Sequence, residues 1–127
     1  VGATILVADD NQQIADLLAE RLAMSGHKIS LVHDGVELVR RAAEIRPHLI
    51  ITDVQMPGGF GSTAFLELQK DEKTKGIPVI FISAHPIADF MPDSPSVRYV
   101  PKPIDFKKLS EVVVELLPLG GYSAPRR

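Results

Sequence analysis

Five short apolar runs punctuate this chain: Ile5 to Ala8, Ile29 to Val32, Leu49 to Thr52, Val79 to Ile82 and Val97 to Val100. Branched side chains suit the pleated backbone, and a run without polar alternation suits a strand covered on both faces. The pattern therefore predicts five buried strands. The stretches between them repeat apolar residues at helical spacing. Ile14, Leu17, Leu18 and Leu22 define one face of a first helix, and Gly26 is placed to end it. Asp34 with Glu37 has the form of a capping box for a second helix, with Val36, Val39 and Ala43 on its face and Pro47 as its stop. Ser62 is placed to cap a third helix carrying Phe65, Leu66 and Leu68. Asp105 is placed to cap the last, which lines Leu109, Val112, Val113, Leu116 and Leu117 along one side.

Strand and helix alternate throughout. That predicts an α/β fold, a doubly wound five-stranded parallel sheet with helices on both faces. The pattern breaks between residues 87 and 96, which hold Pro92 and Pro95 with Pro86 just before. Proline removes a helical N–H, so a fourth helix there is expected to be short or irregular. The final residues, LGGYSAPRR, have linker composition. The expected division is a domain over 1–118 and a flexible tail or linker stub over 119–127.

Composition adds boundaries. With 127 residues and 45% hydrophobic content, the chain can bury a core as one domain. A formal net charge of -2 gives no electrostatic basis for binding nucleic acid or a membrane surface. Cysteine is absent, which excludes disulfides and thiolate metal sites and fits a reducing cytoplasm. No apolar run approaches the roughly 20 residues that span a bilayer. The N-terminus, VGATILVADD, lacks the basic start of a secretory signal. A cytoplasmic protein is the expectation.

The chemistry-bearing residues share one kind of place, the C-terminal ends of the strands. Asp9 and Asp10 follow the first, Asp53 the third, Ser83 the fourth and Lys102 the fifth. Ligands of open α/β sheets bind at that edge, where strand order reverses. In the order 2-1-3-4-5, all five side chains would converge on one crevice. Three carboxylates there repel one another, and a hard cation such as Mg2+ would relieve the conflict. Asp10 and Asp53 are candidate direct ligands, Asp9 binds directly or through water, and the Gln55 backbone carbonyl is a candidate fourth oxygen. Mn2+ is the alternative metal. A carboxylate can also attack phosphorus to give an acyl phosphate, a reaction that needs alignment and charge neutralisation. Lys102 and a Ser83 hydroxyl would serve the phosphoryl oxygens.

The segments ILVADDN, LIITDVQMPG, VIFISA and YVPKPID, in this order, resemble the receiver domain of two-component response regulators. The resemblance implies the CheY-like (flavodoxin-like) 2-1-3-4-5 sheet with five helices. It implies phosphotransfer from a sensor histidine kinase or a histidine phosphotransfer protein to Asp53, with Asp9 and Asp10 as the acidic pair. It also implies Ser83 as switch hydroxyl, Tyr99 as switch aromatic, Lys102 facing the phosphate and a cis Lys102–Pro103 bond. Such a domain modifies itself and is not a turnover enzyme. Its downstream effector is not named by the sequence, and a homodimer through helices four and five is a further expectation.

The chain departs from the family pattern in a shorter, proline-rich stretch before Lys102. A bulky His85 sits two residues after Ser83, where with Gln55 it would modulate hydrolysis of the acyl phosphate. Gly58 to Gly61 replace a more polar loop and offer Phe60 as a contact. The alternative reading is a pseudo-receiver, an interaction module that works without phosphorylation. A phosphatase with an aspartyl-phosphate intermediate fits less well, since Gln55 stands where a second acid would protonate the leaving group. His27, His33 and His48 lack metal-ligand spacing and read as surface or packing residues. The run Lys70 to Lys75 reads as a solvated helix end.

Overall fold

The computed structural model describes the backbone of residues 2–56, 59–84 and 94–123, and of these the side chains outside 55–62. Five strands form one parallel sheet: β1 (Thr4–Ala8), β2 (Lys28–Val32), β3 (Leu49–Asp53), β6 (Val79–Ser83) and β7 (Val97–Pro101). Their order is β2-β1-β3-β6-β7, the expected 2-1-3-4-5 arrangement counted along the sheet strands. Two short strands, β4 (Gln55–Met56) and β5 (Gly59–Phe60), pair antiparallel just after β3.

Side chains alternate across each sheet strand and so divide the core in two. On one face Leu6, Ala8, Ile50, Val79 and Phe81 pack with α2 (Gly35–Ile45) and α3 (Gly61–Lys70). On the other, Ile5, Val7, Ile51, Ile80 and Ile82 pack with α1 (Gln12–Met24) and α4 (Phe106–Leu116). The Phe65 and Phe81 rings meet edge to face at 5.7 Å within the first cluster.

The helix ends follow their sequence signals. Asn11 caps α1, its side chain accepting the N–H groups of Gln13 and Ile14. Gly26 takes the left-handed φ of +88° after α1, where a side chain would be strained. Asp34 accepts the N–H of Glu37, and Asp105 accepts those of Lys107 and Lys108. At the end of α2, Pro47 disfavours a helical Arg46, and the chain leaves through a left-handed Arg46 with φ 45°.

Three helix faces differ from expectation. In α2 the buried residues are Gly35, Leu38 and Ala42, while Val36 is exposed. The period was right and the phase was off by about one residue, because Gly35 supplies no side chain to read and faces Ala64 on α3. In α1, Ala15 is buried and Leu17 is exposed. In α3, Phe65 and Leu68 are buried but Leu66 is exposed, and the helix starts at Gly61, so Ser62 lies in the first turn and is not the cap.

The segment expected to be a tail is folded through Tyr122. A 3-10 turn (Leu117–Gly120) follows α4, Gly121 takes φ +89°, and Tyr122 is half-buried against the α1/α4 core. Residues 124–127 lie outside the described residues. So do 85–93, the greater part of the expected irregular fourth helix, with His85, Pro86 and Pro92. Pro95 sits in the turn entering β7. Among the described residues, no helix is long and apolar enough to cross a membrane.

Candidate functional site

Because the five sheet strands are parallel, their C-terminal ends share one edge. Asp9 and Asp10 follow β1, and Asp53 is the last residue of neighbouring β3. Ser83 ends β6, and Lys102 follows β7, whose Pro101 is paired with Ser83. The structure thus brings Asp9, Asp10, Asp53 and Lys102 into one cluster, with Ser83 at its rim.

Asp9 is buried and Asp10 is exposed. The Asp9 N–H donates to the Val32 carbonyl, and its Oδ1 accepts the Asn11 N–H at 2.9 Å. Its Oδ2 is buried and has no hydrogen-bond partner among the described residues. The ammonium of Lys102 lies 3.6 Å from that oxygen and donates to Asp53 Oδ2 at 2.8 Å. One lysine therefore faces two acids.

Burial pushes the Asp9 pKa above the ordinary carboxylate value, and the nearby Asp53 charge adds to the rise. The Asn11 N–H and the Lys102 charge oppose it without cancelling it. Burial alone would lower the Lys102 pKa. The hydrogen bond and charge of Asp53, joined by Asp9, outweigh burial and raise it. Lys102 is thus held firmly in its charged form.

Carboxylate oxygens of Asp9, Asp10 and Asp53 all lie within 4.8 Å of one another. A hard divalent cation fits this donor set: three convergent carboxylates, one with a buried oxygen that lacks a hydrogen bond. The Gln55 backbone begins β4, two residues beyond Asp53, and its side chain lies outside the described residues.

Ser83 is buried, and its carbonyl accepts the Lys102 N–H at 2.8 Å and the Tyr99 hydroxyl at 3.5 Å. Tyr99 is half-buried against the α2/α3 core. The Lys102–Pro103 bond is cis. His85 lies outside the described residues, as does the Phe60 side chain.

Two neighbours of the site escaped the sequence reading. Asn11 both caps α1 and donates its N–H to Asp9; an Asn just before an apolar helical period was an available signal. His33, after β2, places Nδ1 3.2 Å from the Asp9 carbonyl, where an Nδ1–H tautomer donates to it. Nothing local marks that contact, because it depends on β1 and β2 being neighbours.

The response regulator receiver domain family matches residues 5–114. The chain is 34% identical over 118 residues to the DNA-binding dual master transcriptional regulator RpaA of Synechocystis sp., covering 89% of this chain and 48% of RpaA. It is 35% identical to the DNA-binding transcriptional regulator NtrC of Azospirillum brasilense, covering 91% of this chain and 24% of NtrC. The chain thus spans half the length or less of these relatives. Among solved structures, the response regulator TrrA from Thermotoga maritima, in complex with Mg(2+)-BeF, superposes with a TM-score of 0.79 at 31% identity. That likeness covers 90% of this chain and 98% of TrrA. The sheet order, the acid cluster at its C-terminal edge and the reach of the match over residues 5–114 lead to one conclusion: this chain belongs to the receiver domains of two-component response regulators.

Proposed function

We propose that this domain is a phosphorylation switch in which Asp53 accepts a phosphoryl group from a phosphohistidine. The observation that carries this reading is Lys102 Nζ, 2.8 Å from Asp53 and 3.6 Å from Asp9 within a cluster of three carboxylates. Crowded carboxylates need a counter-charge, and a site that receives a phosphoryl group needs it still more.

An Asp53 carboxylate oxygen attacks phosphorus in line, and a P–O bond forms as the P–N bond breaks. The donor imidazole, protonated on its other nitrogen, leaves neutral with the electron pair of the broken bond. Lys102 turns from Asp53 toward a phosphoryl oxygen, and the Ser83 hydroxyl donates to another. Mg2+, held by Asp9, Asp10, Asp53 and the Gln55 backbone carbonyl, would supply two positive charges against the phosphoryl oxygens. The Mg2+ in the similar Thermotoga maritima protein supports this assignment, and Mn2+ is the alternative hard cation.

Drawing Ser83 inward loosens the contact of its carbonyl with the Tyr99 hydroxyl. Tyr99 then turns further into the core, and the surface around β7 and α4 changes for whatever reads the switch. Only a state-dependent contact can shift such an equilibrium, and the phosphoryl group supplies one. The donor is a sensor histidine kinase or a histidine phosphotransfer protein. Gln55 and His85 are assigned to the lifetime of the acyl phosphate, and an unchanged lifetime in His85→Ala would remove His85 from that role.

The test is acetyl phosphate with Mg2+, read by intact mass. A gain of about 80 Da is expected, absent in Asp53→Asn and in metal-free protein. No gain, with Mg2+ binding shown separately, would leave an interaction module that works without phosphorylation.

A further inference from the structure

Tyr122 stands between two histidines at the opposite end of the sheet from the acid cluster. His27 precedes β2, and its Nδ1 accepts the Ala3 N–H at 3.1 Å. His48 precedes β3, and its Nδ1 accepts the Thr4 N–H at 3.0 Å. Both rings meet the Tyr122 ring edge to face, with centroids 6.1 Å and 5.5 Å away. The backbone is shaped for this approach. A Cβ on Gly120 would overlap the His48 carbonyl, so no other residue fits there. Gly121 takes its left-handed φ of +89°, and the Tyr122 N–H donates to the Leu117 carbonyl at 3.2 Å. Five-residue strands separate this end from the crevice by about 16 Å, so the two do not touch.

We propose that the His27–Tyr122–His48 clasp is an acid-releasable anchor for the segment after α4. An Nδ1 that accepts a backbone N–H must carry a lone pair. Each ring is therefore neutral, with its proton on Nε2. Protonation would place a second N–H on Nδ1, directly against the N–H of Ala3 or Thr4. Two donors cannot share that contact, so the ring must turn, and Tyr122 loses the edge it rests on. The same tautomer excludes a metal bridging the pair, since Nε2–H offers no lone pair.

The groups facing the clasp favour neutral rings over charged ones. The start of β1 presents the backbone N–H groups of Ala3 and Thr4. The turn after α1 presents Gly26 and then the exposed Lys28, whose charge would repel an imidazolium. The segment after α4 presents Gly120 and the Tyr122 phenol. Among the described residues, neither imidazole has an ion-pair partner. Burial lowers the His27 pKa below its ordinary value, as a ring held neutral should show.

The test is 15N relaxation of the whole chain from pH 8 to pH 5, alongside the ring shifts of both histidines. The expected result is that Tyr122 and Ser123 lose heteronuclear NOE in step with ring protonation while α4 keeps its own. Tyr122→Ala should show the released values already at pH 8. The double variant His27→Asn, His48→Asn keeps an acceptor near each Nδ1 but cannot titrate, so its values should not change with pH. Tyr122 order that persists through titration of both rings overturns the proposal. So does an equal acid response in the double variant, or a Tyr122→Ala segment as ordered as the parent's.

Discussion

The two carboxylate oxygens of Asp9 have different tasks. Oδ1 holds the turn into α1 through Asn11, and Oδ2 faces Lys102 across the crevice. A helix-turn role and a site role are thus met by one residue. The raised pKa means that the folded protein binds this proton more tightly than the unfolded chain does. The stability it contributes is present below the unfolded value of 3.8 and is lost as pH rises through the folded one. At neutral pH charged Asp9 therefore destabilises the metal-free fold. Asp9→Asn keeps the Oδ1 acceptor and removes the charge. It should stabilise metal-free protein in urea by on the order of 1 kcal/mol and weaken Mg2+ binding by calorimetry. His27 has the opposite sign of shift. Its folded pKa is below 6.5, so the unfolded chain takes the proton first. Stability should hold above pH 6.5, fall as pH drops through it, and level off below the folded value. Urea midpoints at pH 7.5 and 5.5 would show this, and His27→Asn should shrink the difference.

At the scale of elements, the Asp34 and Asp105 caps and the Gly26 and Pro47 breakers were readable because each acts within a few residues, whereas the Ser62 cap was misplaced and the Asn11 cap missed. Asp105 lies beside the two N–H groups it accepts, and Asp105→Ala should cost about 1 kcal/mol in urea unfolding. Helix phase was less readable, because what a helix buries depends on its neighbour. The close meeting of Gly35 with Ala64 turns Leu38 inward and leaves Val36 in water. Leu38→Ala should cost about 2–5 kcal/mol, whereas Val36→Ala should stay within about 0.5 kcal/mol. Equal costs would contradict the observed phase. The charged run after α3 conceals a similar case. Thr74 is buried, and its hydroxyl donates to the Leu68 carbonyl at 2.7 Å, anchoring a turn that its neighbours mark only as solvated.

At the scale of the molecule, the sheet separates two clusters that share strands but not side chains. Ile50 packs with α2 and α3, and Ile82 with α1 and α4. Ile50→Val and Ile82→Val should each cost about 1 kcal/mol, and the double variant should match their sum within about 0.5 kcal/mol. A larger coupling would mean that the sheet transmits packing changes between its faces. By itself the sequence determined the strand–helix alternation, the Asp34 and Asp105 caps and the placing of acids at strand ends, because backbone preference and hydrophobic period act over a few residues. The family's motifs added the strand order. Only the tertiary structure decided that Lys102, 49 residues from Asp53, sets its ammonium between two carboxylates. It alone turned α2 by one position and folded Tyr122 back between His27 and His48. Those outcomes depend on which strands become neighbours, and side chains distant in the chain meet only once the sheet has formed.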